Sequence, residues 1–314
     1  MLEFKNKYCL VTGGSGMIGR SLVRKLVDKG AKVLVVSIDN PTGLPKEVNF
    51  VQFDLTELKN CLTVCDGMDY VFHLAGIKGS PKKCIDQPAN FFVPTIMFNT
   101  NMLEACVRTG VNRFLYTSTI GVYAQAEILR EDDVWKTFPS ENDRFAGWAK
   151  RMGELQIQAY QKQYGANNIR IVRPANVYGP YDNFIPPDSM VIPSLIARVD
   201  GGESPLRVWG NGSQIRDFIY TDDCAEGILK VFESDETRPV NLGSGENRTI
   251  KEVVEIVVKK SSYKPEIVWD TTKPTGDKIR LMDVSRAKAL GFKASTSLEN
   301  GIEKTIKWYK NNKV

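Results

Sequence analysis

The chain has 314 residues, of which 42% are hydrophobic and 25% charged, enough for one large or two unequal cores in an ordinary globular protein. A net charge of +5 without any Lys/Arg-rich run argues against nucleic acid as a partner and suits a small anionic ligand. No apolar run reaches the ~18 residues of a membrane helix, so no membrane partner is expected, and Met1-Leu2-Glu3-Phe4-Lys5 lacks the apolar centre of a signal peptide; a cytoplasmic protein is the expectation.

Tyr8 to Thr12 reads as a buried strand running into glycines, and Ile18 to Asp28 carries helical periodicity. Further strands follow at Lys32 to Ile38, Val48 to Phe53 and Asp69 to Ala75, then a helix at Phe98 to Thr109 and a strand at Arg113 to Thr117. A long helix at Gly147 to Tyr164 leads to a strand at Ile169 to Pro174. Strands alternating with helices predict an α/β fold, a doubly wound parallel Rossmann sheet covered on both faces. After Pro174 the texture turns to Pro, Gly and Asn with shorter elements: a helix at Pro193 to Arg198, strands near Leu206 to Trp209 and Glu266 to Trp269, and a returning helix at Asp222 to Phe232. These predict a smaller α/β substrate-binding lobe. The expected division is 1–174 with 219–242 for the Rossmann domain and 175–218 with 243–314 for the lobe.

The six cysteines (Cys9, Cys61, Cys65, Cys84, Cys106 and Cys224) include no CxxC pair, and His73 is the single histidine. Reduced core thiols and no metal site are expected.

Gly13-Gly14-Ser15-Gly16-Met17-Ile18-Gly19 lies between the first strand and the first helix. Glycines there let the backbone turn tightly against a pyrophosphate, which the free N–H groups and positive end of the helix then hold. An acid ending the second strand would accept the ribose 2′-hydroxyl; Ser37 stands at that end, with Asp39 two residues on and no Arg following. NAD is therefore expected over NADP. Asp54-Leu55 is placed to meet the adenine, and Leu74-Ala75-Gly76 lets the backbone pass close to the cofactor.

TGGSGMIG (12–19), HLAG (73–76), TSTIGVY (117–123), RPANVYGP (173–180), RDFIYTDD (216–223) and Gly276-Asp277-Lys278-Ile279-Arg280 follow one another in an order that resembles the extended short-chain dehydrogenases, the family of nucleotide-sugar epimerases, dehydratases and reductases. The resemblance covers nearly the whole chain. It implies a nucleotide-sugar substrate, cofactor contacts extending to Thr117 and Pro174, and a homodimer built on a helix pair, for which Phe98 to Thr109 and Gly147 to Tyr164 are in view. It also implies catalysis by a Ser/Thr, a Tyr and a Lys four residues after the Tyr, the Lys also binding the nicotinamide ribose. Thr119 matches the first position and Lys150 the last; the Tyr position is Ala146. Three readings stay open: a Tyr replaced to trap a complex, a protein that has lost turnover, or another group carrying the proton, with Tyr178, Tyr181 or a water held by Thr119 in view.

The stretch from Asn176 to Phe184, with Met190 to Leu195, resembles the substrate loop of the GDP-fucose synthases within that family. The match implies nucleotide-sugar contacts from Asn176, Tyr178, Val191, Leu195 and Arg198, with Trp209 beside the guanosine, Arg216 clamping the diphosphate and Arg280 as a second arginine. Two departures bear on the chemistry: the Cys and His acid–base positions of those enzymes are Gly121 and Met190, and the acidic pair of the dehydratases is Ile120 and Gly121. Simple hydride transfer is what remains. In that respect the chain resembles the GDP-heptose 4-dehydrogenases of bacterial capsule synthesis, which implies oxidation at C4 of a GDP-manno-type hexose or heptose; a 4-epimerase and a silent NAD-binding regulator are the alternatives.

Overall fold

The computed structural model describes residues 2–77, 83, 86–186, 188–273 and 276–312; Cys84 lies outside them. Apolar runs rich in Val, Leu and Phe form β1 (Tyr8–Thr12), β2 (Lys32–Ser37), β3 (Asn49–Gln52), β4 (Tyr70–His73) and β5 (Arg113–Thr117). With Ile169–Pro174 and Val240–Leu242 they make a seven-stranded sheet, parallel throughout. The sheet runs Val240–Leu242, Ile169–Pro174, β5, β4, β1, β2, β3. Connections from β1 thus depart to both sides, and the carboxyl ends of β1 and β4 open the crevice where doubly wound sheets bind their ligands.

Helices cover both faces. Helix α1 (Met17–Asp28) packs beside the helix Thr221–Glu233, and α2 (Leu58–Cys65) beside Pro88–Thr109, which in turn lies along Arg144–Tyr164. Beneath them sit two apolar layers, one around Val11, Phe72 and Phe232 and one around Leu10, Val71 and Phe114. Cys61, Cys65 and Cys106 are free buried thiols of the second layer. The helix ending at Thr109 starts at Pro88, well before Phe98. Pro94 sits inside this helix, where it removes one backbone hydrogen bond and crowds the carbonyl four residues before it.

A third core gathers Ile192, Leu195, Val208, Phe218, Val254 and Ile302. Short strands frame it: Leu206–Trp209 with Ile267–Asp270, Phe218–Tyr220 with Asn176–Tyr178, and a four-stranded set of Arg248–Thr249, Ile215–Arg216, Ile279–Met282 and Ile128–Leu129. The helix Ile250–Lys260 opens on a capping box in which Thr249 and Glu252 satisfy each other's backbone N–H. Met282, Val284, Ala287 and Phe292, which the sequence division assigns to the smaller lobe, pack in the layer under the large sheet instead.

Candidate active site

The glycine turn is built so that side chains cannot enter it. Gly13 has φ +65°, and a Cβ there would stand 2.9 Å from Ala75 Cα. A Cβ on Gly14 would stand 2.7 Å from Val35 Cγ1, and one on Gly19 would overlap the Gly13 carbonyl. Gly13 N donates to Val36 O at 2.7 Å and Gly16 N to Gly13 O at 3.0 Å, closing the turn. Gly16 caps α1 with no side-chain bond, and no side chain among the described residues bonds the N–H groups of Met17, Ile18 and Gly19. That is an anion cradle. Leu74, Ala75 and Gly76 line it from the end of β4, with Leu74 N bonded to Thr12 O at 3.2 Å. Ser15 Oγ bonds Ser37 Oγ at 2.8 Å, and Asp39 N bonds Ser37 Oγ at 3.1 Å, placing the exposed Asp39 carboxylate beside the turn. The exposed Asp54 carboxylate accepts from Thr56 N and Oγ1 and so also ends β3, next to the buried Leu55. These residues fit a dinucleotide: a backbone cradle for its phosphates, the Asp39 carboxylate for its ribose, and Asp54 with Leu55 for its adenine.

Farther along the crevice, Thr117 ends β5 with a buried Oγ1 that has no hydrogen-bond partner among the described residues, and Pro174 ends the neighbouring strand. Thr119 N-caps the short turn Ile120–Val122, accepting from Gly121 N at 3.2 Å. Lys150 rises from the helix Arg144–Tyr164, one turn after Ala146. Its Nζ lies 3.5 Å from Asn99 Oδ1 and over the rings of Tyr116 (5.2 Å) and Phe98 (5.9 Å). Burial of the amine pulls its pKa down to about 7, against a smaller opposing pull from Glu154. Asn99 Oδ1 also takes His73 Nε2 at 2.9 Å, and His73 Nδ1 meets Thr12 Oγ1 at 2.8 Å. Burial first, and the Lys150 charge second, push the His73 pKa to about 3, so the ring is neutral. Sequence reasoning did not single out Asn99; only the adjacency of β4 and its helix reveals it.

Beneath these groups lies a sealed ion pair. Arg173 and Glu154, both 0% exposed, meet at 2.6 Å, and Glu154 also accepts from Ser118 Oγ at 2.6 Å. Arg173 further donates to Tyr123 Oη at 3.0 Å, whose hydroxyl donates to Asn241.

On the lobe side, Arg216 and Arg280 are register partners on adjacent parallel strands. Arg280 is held by Asp143 at 2.8 Å and Asp277 at 3.6 Å. Arg216 bonds only its neighbour's carbonyl, Ile215 O, and has no carboxylate partner among the described residues; burial, then the Arg280 charge, lowers its pKa. The next residue, Asp217, is locked by Ser244 N, Ser244 Oγ and Gly245 N, which fixes the strand end that carries Arg216. Trp209 stands 58% exposed.

Several expected contacts are corrected by packing. Tyr178 is 2% exposed, with its hydroxyl directed at Leu298 O and its ring against Gly301; it is part of the lobe core and open to neither substrate nor proton transfer. Leu195 is likewise 2% exposed in that core, and Val191 packs against it. The Arg198 guanidinium is claimed by Glu203 at 2.6 and 2.7 Å and by Arg207 O. Asn176 donates to Asp217 O at 2.9 Å, joining two strands. Tyr181, at φ +64°, lies under the Arg20 guanidinium (4.3 Å) with its ring tilted against Trp308 (4.6 Å).

Comparison with known proteins agrees with this architecture. GDP-L-fucose synthase 1 of Arabidopsis thaliana is 30% identical over 98% of this chain and 94% of its own length. GDP-L-fucose synthase of Escherichia coli K12 is 30% identical over 96% of each. A UDP-glucose 4-epimerase of Thermotoga maritima, solved with UDP-glucose, superimposes with a TM-score of 0.86 at 26% identity, covering 97% of this chain and 99% of that one. The model of the NAD dependent epimerase/dehydratase family matches residues 9–243, and the chain belongs to that family, with NAD as its cofactor.

Proposed function

We propose that the protein oxidises a ring hydroxyl of a nucleotide-linked sugar, a GDP-sugar in first place, with C4 of a manno-configured hexose or heptose as the reacting carbon. The observation that carries this reading is Arg216. Two guanidinium groups side by side on neighbouring strands repel; Arg280 takes Asp143 and Asp277 as ion-pair partners, while Arg216 feels the same two carboxylates only from farther off, as a smaller pull than burial and the Arg280 charge. A diphosphate bridging the two would settle that charge with bidentate hydrogen bonds. The exposed indole of Trp209 offers a flat face to a base. The guanosine preference is supported by the GDP-L-fucose synthases among the relatives.

Bound NAD supplies the acceptor for the carbinol C–H electron pair. The chain's own residues orient the sugar: Thr119 through its hydroxyl, Arg216 through the diphosphate, and Lys150 from the crevice floor. Gly121 and Met190 offer no acid or base, so the chemistry stops at oxidation or reduction of one carbon and does not exchange protons at its neighbours. In this reading residues 1–174 and 219–242 hold NAD, while 175–218 and 243–314 hold the nucleotide sugar. A second copy covers the outer faces of the two long helices, where Val93, Met97, Met152 and Leu155 are exposed.

The test is to mix purified protein, NAD and a panel of GDP-, UDP- and dTDP-sugars and follow nicotinamide absorbance. Reduction of NAD with GDP-sugars is expected. Arg216→Lys should raise the apparent KM about 10- to 100-fold by losing one bidentate pair while leaving NAD affinity unchanged. A change of sugar configuration without net reduction would replace this reading by 4-epimerisation, and no sugar-nucleotide response at all would refute it.

A further inference from the structure

We propose that Lys150 itself accepts the proton of the sugar hydroxyl, its amine reaching past Ala146, one turn earlier on the same helix; the inference rests on the oxidation reading above. Two glycines set the depth of that amine. A Cβ on Gly147 would overlap Gly121 O and stand 2.7 Å from Pro139 Cβ, and one on Gly153 would overlap the Tyr116 hydroxyl. The helix therefore lies flush on the Thr119 turn and on β5, and Lys150, between the two glycines, enters the crevice from its floor. Lys150 as a whole is half-buried, with its amine at the buried end against Asn99, Tyr116 and Phe98.

The other groups in reach are disqualified by burial or bonding. His73 is 0% exposed with both ring nitrogens engaged. The Tyr116 hydroxyl donates to Lys150 O, and Tyr123 is closed in by Arg173 and Asn241. Tyr178 is sealed in the lobe, and Ala146 has no proton to exchange.

The hydrogen bonds suit a neutral amine. Asn99 Oδ1 can only accept, so His73 Nε2–H donates to it and Nδ1 receives the Thr12 hydroxyl, a tautomer assigned from the network. Lys150 donates to the same oxygen. A neutral amine keeps N–H donors for that bond and has a lone pair left for the substrate. The charged groups facing it do not hold it as an ammonium. Glu154, one turn on, is spent on Arg173 and Ser118; Arg151 turns away to Val122 O; His73 is neutral; and the Tyr116 and Tyr123 phenols stay protonated through burial. Lys150 has no ion pair among the described residues. Burial therefore governs, and the amine titrates at about 7.

In the step, the carbinol O–H breaks and its proton goes to Lys150 Nζ. The C–H hydrogen leaves with its electron pair to the nicotinamide, and the carbinol becomes a ketone. The ammonium then returns its proton to solvent before the next turnover.

The experiment pairs kinetics with a substrate-free titration. Carbon-13 NMR of protein labelled at lysine Cε, assigned with Lys150→Met, should give a midpoint of about 7; a midpoint of about 9 or above, near that of an ordinary lysine, overturns the proposal. Oxidation by the wild type should climb about tenfold per pH unit below that midpoint and level off above it. Lys150→Ala should lose about 100-fold or more in kcat and regain activity with added alkylamines in order of their basicity. Lys150→Arg keeps the charge but not the lone pair and should stay inactive. Ala146→Tyr raising kcat by more than about 100-fold would show that the native site lacks a base and overturn the proposal. A wild type inert toward every sugar nucleotide fails the oxidation reading instead, and the carbon-13 midpoint then decides this one alone.

Discussion

Lys150 sits where a positive charge is costly, and the cost is measurable without any substrate. Its pKa falls to about 7 on folding, whereas an unfolded lysine titrates at about 10.4. Between those values the unfolded chain binds one more proton than the native state, so stability rises with pH across that window. Lys150→Met should add about 1–2 kcal/mol at pH 7 and flatten the pH dependence in denaturant titrations; an unchanged slope would show that the amine is hydrated. A stabilised but inactive variant would separate the residue's work from its packing. At this scale the sequence is legible where chemistry is local. The turn from Gly13 to Gly19 shows itself in seven consecutive residues, but Asn99 finds His73 at a separation of 26 and Lys150 at 51, and only the sheet order brings the three together. Tyr178 reads as a loop residue with a free hydroxyl because nothing in its neighbourhood of sequence announces Leu298 and Gly301 lying against it.

At the level of elements, hydrophobic period predicts which face a helix buries but not how deeply. Strands β1 and β5 match their expected bounds, since a run of apolar residues closed by glycine or a polar turn leaves little choice. The helix Arg144–Tyr164 starts three residues before Gly147, and its two glycines lower helix propensity while permitting close contact. Gly147→Ala trades that propensity gain for a clash with backbone, which cannot rotate away as a side chain can. A loss of about 1–3 kcal/mol is expected, with a Lys150 amine pushed outward and a higher carbon-13 midpoint; a neutral or stabilising effect would mean the Thr119 turn yields. The helices Ile250–Lys260 and Leu298–Asn312 go unassigned from sequence, although Thr249 and Glu252 carry a capping signature and Val253, Val254 and Val257 recur at helical spacing.

Across the whole molecule the chain passes repeatedly between its cores. Strand Phe218–Tyr220 places Ile219 under the large sheet and its two neighbours in the lobe, and Met282 to Phe292 returns to the large sheet after the strand bearing Arg280. A linear division of the sequence cannot follow such crossings. One residue makes the connection short: Arg20 donates through Nε to Ser15 O at 2.6 Å, inside the glycine turn, while its guanidinium stacks on Tyr181 of the lobe loop, itself against Trp308. Its Nη1 is buried with no partner among the described residues. If NAD on the glycine turn and a nucleotide sugar under the lobe loop both shift this side chain, thermodynamic reciprocity makes their coupling symmetrical: whatever factor NAD adds to nucleotide-sugar affinity, the nucleotide sugar adds to NAD. Calorimetric titration of each ligand with and without the other should give equal factors above unity in the wild type and factors near one in Arg20→Ala. The arginine would then tie the strength of one half of the site to the occupancy of the other, a role held by a residue outside either ligand's chemistry.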